Sequence, residues 1–119
     1  MVPDTSELLD AVDHLADRFR AMPQSRLLGA VPGHPSRAAA GLALARELAA
    51  RTQRLAEGPG ALPRELPDAG AFAVGDQIAV TGHDLVAALG DGAPENDEAA
   101  AALLADAVAA VDAVAKLCG

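Results

Sequence analysis

Tryptophan and tyrosine are absent, phenylalanine occurs twice, and cysteine and lysine occur once each. Each scarcity removes a class of protein. Without Trp or Tyr there is little to stack against unpaired bases. β-Sandwiches and barrels fill their half-buried faces with Val, Ile, Thr and aromatics, yet Ile78 is the only isoleucine. A single cysteine, Cys118, permits no disulfide framework within the chain. Next to Gly119, and without a histidine partner in reach, it is expected to be an exposed thiol with no catalytic role. No run of 18 uncharged apolar residues occurs, so no transmembrane helix is expected. The acidic opening, Met1-Val2-Pro3-Asp4-Thr5-Ser6-Glu7, is no secretory signal, and the expected location is cytoplasmic.

Alanine is what the chain has in excess, at about a quarter of its 119 residues. It is the best helix former but buries little area, at roughly 25 cal/mol per Å² of apolar surface. A core built from it needs helices that approach closely, near the short end of the roughly 8–10 Å interaxial range. One all-α domain spanning residues 1–119 is therefore expected. Abundant alanine, with eight arginines to one lysine, is the usage of a GC-rich bacterial genome.

Charge is unevenly placed. The net charge is −8, with +1 over residues 1–64 and −9 over residues 65–119. All eight arginines lie between Arg18 and Arg64. An acidic surface repels phosphate backbones, so nucleic acid is not an expected partner.

Periodicity predicts four helices. In the first, from about Thr5 to Ala21, Leu8, Val12, Leu15, Phe19 and Met22 make one seam, and Pro23 stops it. A long connection, Met22 to Pro35, follows. Its Leu27, Leu28 and Val31 are too apolar for a free linker, so a short helical turn across one end of the bundle is expected. Ser36 caps the second helix, which runs to about Glu57 before Gly58-Pro59-Gly60. Leu44, Leu48 and Leu55 face inward, and Glu47 and Arg51 pair at four residues. The loop to Pro67 is expected to be anchored by Leu62 and Leu66.

Residues 67–90 admit two readings. As a helix capped by Asp68, they put Phe72, Gly75, Ile78, Gly82, Leu85 and Leu89 on one stripe, with Asp76, Gln77, Thr81, His83 and Asp84 opposite. As strands, Phe72–Val74 and Ile78–Val80 alternate around a Gly75-Asp76 turn. Two glycines cost a helix about 1 kcal/mol each, but such a short isolated hairpin is marginal. The helix is the expectation, and three helices plus a hairpin at 72–80, an α+β fold, is the alternative. The last helix starts at Glu95 or Asn96 and carries a broad apolar face from Leu103 to Leu117. The expected architecture is an antiparallel up-down-up-down four-helix bundle with its long connection between helices one and two.

Two acidic sets resemble metal ligands by residue type: Asp10, Asp13, His14 and Asp17, and Asp76, His83 and Asp84. No Glu-x-x-His motif is present, and both sets lie off the apolar stripes, so neither a metal nor a cofactor is assigned. Ser25 and His34 share a loop, but no Gly-x-Ser-x-Gly elbow accompanies them. The better candidate lies at the connection over residues 22–37. There Ser25, Arg26, His34 and Arg37 gather near a helix N-terminus, with Arg20 in possible reach, as an anion site would require. The expected role is nonetheless a non-enzymatic interaction or dimerisation module. The last helix is apolar over more of its circumference than one buried stripe needs, which predicts a homodimer or another protein partner. The alternative is a small-anion-binding protein or small enzyme with its site at residues 22–37.

Overall fold

A computed structural model describes residues 4–62, 64–91 and 97–119, most of them helical and, among those residues, none in a named strand. The helices are α1 (Ser6–Ala21), α2 (Gln24–Leu27), α3 (Arg37–Glu57), α4 (Val74–Gly90) and α5 (Asp97–Cys118), with a 3-10 turn at Ala71–Ala73 leading into α4. The fold is all-α, as expected, and residues 72–80 are helical rather than a hairpin. The expected start of the last helix at Glu95 or Asn96 lies outside the described residues.

Local chemistry accounts for the ends. The α1 seam, Leu8 to Met22, is buried throughout. α2 and an isolated bridge between Val31 and His34 fold the long connection back, burying Leu27 and Val31 and leaving Leu28 exposed. Ser36 Oγ accepts the Ala39 N–H at 2.9 Å and opens α3. Gly58, at φ 91°, closes it through a bond from its N–H to the Arg54 carbonyl, a left-handed conformation that favours glycine.

α4 is positioned by what two of its residues lack. A Cβ at Gly75 would stand 2.9 Å from the Ala16 carbonyl oxygen, and one at Gly82 would collide with the Val12 side chain. Seven residues apart, the two glycines share a face and let α4 settle onto α1. Ile78, Leu85 and Leu89 are buried with them. Two residues depart from the expected stripe. Phe72 is 69 % exposed, because residues 71–73 wind as a 3-10 turn, with fewer residues per turn than an α-helix, and Val74 takes the inward position. Thr81 is buried rather than outward-facing. Its hydroxyl donates to the Gln77 carbonyl at 2.7 Å, which removes the cost of burying it.

The contacts do not fit up-down-up-down alternation. Val12 meets Gly82 and Arg20 meets Gly75, so α1 and α4 are antiparallel. A Cβ at Gly41, early in α3, would lie 2.5 Å from Val74 at the start of α4. Farther on, Thr52 and Gln53 share a depression with Thr81 and Asp84. α3 and α4 therefore run in the same direction. α5 ends beside Arg18 and Arg37, where α1 finishes and α3 begins, and it packs against α1 and α3. The physical reason is the strap at residues 58–70. Thirteen residues can span about 40 Å when extended, enough to return along a 21-residue helix about 30 Å long.

Polar groups hold the strap. Arg46 Nε donates to the Leu66 carbonyl at 2.9 Å and Gln77 Nε2 to the Pro67 carbonyl at 2.9 Å. Gln53 donates to the Leu62 carbonyl and accepts the Arg64 N–H. Leu66 is half-buried, but the Leu62 side chain is 85 % exposed, so Leu62 holds the strap through its carbonyl and not its side chain. Asp68 accepts the Gly70 N–H at 2.8 Å, making a turn ahead of the helix rather than its cap.

Gly82→Ala is expected to destabilise the fold. Overpacking costs about 1–3 kcal/mol, against up to ~1 kcal/mol returned by helix propensity. At Gly90 an added Cβ meets nothing within 4 Å, so Gly90→Ala is expected to be neutral or mildly stabilising. Urea midpoints of the two variants check this; a Gly82→Ala protein as stable as the parent would refute the close α1–α4 approach.

Candidate functional site

The four residues singled out at the connection are only partly brought together. Arg26 and Arg37 converge on the end of α5, whereas His34 and Ser25 do not join them. Arg37 Nε donates to the Cys118 carbonyl at 3.2 Å and its Nη1 to the Arg26 carbonyl at 3.3 Å. Arg26 Nη2 lies 3.4 Å from the Cys118 carbonyl and 3.5 Å from that of Gly119. Gly29 leaves room for this arrangement: a Cβ there would stand 2.8 Å from Arg37 Nη1. His34 is half-buried and bonded through its backbone to Val31, at 3.1 and 3.3 Å. Ser25 is exposed on α2.

Arg18, which the sequence did not single out, completes the group by donating from Nη1 to the Ala115 carbonyl at 3.2 Å. Its spacing from Arg26 and Arg37 gave no signal, because the three meet only at the far end of the chain. Three guanidinium groups thus address the last carbonyls of α5. These are the groups a helix leaves unpaired, at the end where its dipole favours cations. No side-chain carboxylate among the described residues forms an ion pair with Arg18, Arg26 or Arg37. Arg18 and Arg26 also line an open depression of ≈ 330 Å³ with Met22 and Pro23. Arg20 does not reach this end, since it holds Asp17 at 3.1 Å and Asp76 at 2.8 Å.

Cys118 differs from expectation. It is fully buried, in helical phase with Val111 and Ala107, so α5 stays ordered to its end. Burial pushes the thiol above its ordinary range, partly offset by the Arg37 and Arg18 charges, which makes it a poor nucleophile.

The acidic sets serve other ends. His83 Nε2 lies 2.6 Å from Asp13 Oδ1, tying α4 to α1. Arg20 takes one carboxylate from each set. No group of three metal-type ligands forms among the described residues, and no described helix is long and apolar enough to cross a membrane.

A different surface carries unspent apolar area. The face made by α3, α4 and the strap has two depressions. One, ≈ 470 Å³, lies between the start of α3 and the turn into α4, with Leu28, Leu42, Arg46, Asp68 and Ala71 among its walls. The other, ≈ 310 Å³, lies farther along the same two helices and includes Val80. Leu28 is 53 % and Val80 60 % exposed. Phe72 follows Ala71 on the same 3-10 turn, which packs near α2 and hence near Leu28. On α5, Ala100, Ala107, Val111 and Cys118 are buried, while Leu103, Leu104, Val108, Val114 and Leu117 are half-buried.

Native Cys118 is expected to resist a thiol reagent and to react once unfolded. Arg37→Ala removes a charge-assisted bond worth roughly 1.5 kcal/mol at most at this half-exposed site. Opening of the α5 end, and so the labelling rate, is expected to rise about three- to tenfold; an unchanged rate would show that Arg37 does not hold this end. The thiol also gives a pH dependence. Folding raises its pKa, so the associated stability is intact below the ordinary thiol range and falls as pH rises through it. Urea titrations from pH 7 to 10 are expected to show this decline, reduced in Cys118→Ala.

No protein-family model, no curated protein and no solved structure matches this chain, so its role has to be argued from its own surface chemistry.

Proposed function

We propose that this chain is a non-enzymatic helical-bundle module whose role is to bind a second copy of itself. In this reading α1, α3, α4 and α5 form one four-helix bundle domain, with α1 and α5 running one way and α3 and α4 the other. Support comes from the packing of α4 against α1 and α3 and of α5 against the same two helices. One observation carries the functional reading. Phe72, Val80 and Leu28, all large apolar side chains, are each more than half exposed on or beside the α3–α4 face. Exposed apolar surface beside a lined depression is a mark of an interaction site. The −8 charge favours a protein partner over nucleic acid or an anionic membrane. The proposed setting is cytoplasmic, where the lone buried thiol of Cys118 would stay reduced.

A second reading rests on the Arg18–Arg26 depression, where uncommitted guanidinium donors would suit a carboxylate or phosphate. The helix-end carbonyls already take up part of that capacity, so it ranks below self-association.

Light scattering after size exclusion is expected to give about twice the 11.9 kDa chain mass. A mass of 11.9 kDa up to millimolar concentration would overturn the dimer reading. Thermal stabilisation by phosphate, lost in Arg18→Ala, would promote the anion reading instead.

A further inference from the structure

Two apolar surfaces compete for the role of dimer interface, and charge separates them. The outer side of α5 exposes Glu98, Asp106 and Asp112 against Lys116 alone. A two-fold axis brings the same patch of each copy together, so an α5–α5 contact would oppose acidic surfaces. The α3–α4 depression is different. Arg46 on α3 and Asp68 on the strap both stand on its wall. Both are exposed, and no ion pair joins them within the chain. Arg46 commits its Nε to the Leu66 carbonyl and Asp68 its Oδ1 to the Gly70 N–H, which leaves the Arg46 Nη groups and the second Asp68 oxygen for other partners. A patch lined by one charge of each sign can be self-complementary across a two-fold axis, which pairs each charge with its opposite on the other copy.

We propose that the ≈ 470 Å³ depression between α3 and the 3-10 turn is the seat of a second copy of this chain. It is docked about a two-fold axis so that each Phe72 enters the other's depression and each Arg46 faces the other's Asp68. This rests on the self-association reading above and adds the surface and the pairing. Phe72 is the anchor: it is aromatic, 69 % exposed, and held on a turn adjoining the depression. Aromatic side chains enclosed in a partner's pocket dominate interface energetics. Leu28, on the wall of the same depression, is enclosed with it.

The test uses the full chain, with dimer dissociation measured by analytical ultracentrifugation and folding checked by circular dichroism. Phe72→Ala is expected to raise the dissociation constant at least about tenfold. Arg46→Asp and Asp68→Arg should each weaken the dimer about fivefold or more, because a two-fold axis repeats each like-charge contact. The decisive measurement mixes the two charge variants. A heterodimer of Arg46→Asp with Asp68→Arg chains places an aspartate opposite an arginine at both contacts, so mixing is expected to restore near-parental affinity. A merely local structural effect would not complement in this way. A dimer that survives all three substitutions overturns the surface while leaving self-association standing. A parent chain that is monomeric at every concentration overturns both.

Discussion

α4 lies against α1 because residues 75 and 82 carry no side chain, and much of the structure follows from that approach. With Gly75 over Ala16 and Gly82 over Val12, the rotation of α4 about its axis is fixed. Ile78, Leu85 and Leu89 turn inward and Asp76, His83 and Asp84 turn out. The polar pairs Arg20–Asp76 and His83–Asp13 flank the seam rather than create it, since exposed pairs of this kind contribute about 0–1 kcal/mol. The same logic recurs at Gly41, which admits Phe19 and Val74 where a methyl group would block them. Where glycine or alanine stands at a helix contact, the backbones can come together.

The strap at residues 58–70 is the second determinant. It lets α3 and α4 run in the same direction, and its polar anchors cross the seam between them through Arg46 and Gln77. The two depressions on that face are the unfilled spaces either side of the crossing. This direction was not legible from the chain. A strap of thirteen residues serves either a turn between antiparallel neighbours or a full return along the helix. The helices themselves were legible where local chemistry dominates, as in the α1 seam, the Ser36 cap and the Gly58 stop. Phe72 was misplaced because a single 3-10 turn shifts the phase of everything before it, and period counting assumes a constant pitch.

The arginine group shows a second limit. Arg26 and Arg37 stood out because they flank a helix N-terminus, the usual setting for an anion. Their hydrogen-bond partners come instead from the carbonyls of a helix some eighty to ninety residues away in sequence. Nothing local to residues 22–37 announces that partner, and Arg18 joins for the same long-range reason. The buried Cys118 follows from it too, because a helix end held by three guanidinium groups does not fray.

The fate of the two phenylalanines carries the argument furthest. Phe19 is buried against Gly41, as the close-approach core requires. Phe72 is left 69 % exposed, although burying it fully would be worth about 1.5–3 kcal/mol. That is a large fraction of the roughly 5–15 kcal/mol that stabilises a typical domain. The inward position at this end of α4 is taken by Val74, packed against Gly41. The 3-10 turn resolves the conflict by carrying Phe72 outward beside a depression with apolar walls. Close packing inside and a stranded aromatic outside are thus two results of one composition, and in the dimer proposed above a second chain would bury the stranded ring.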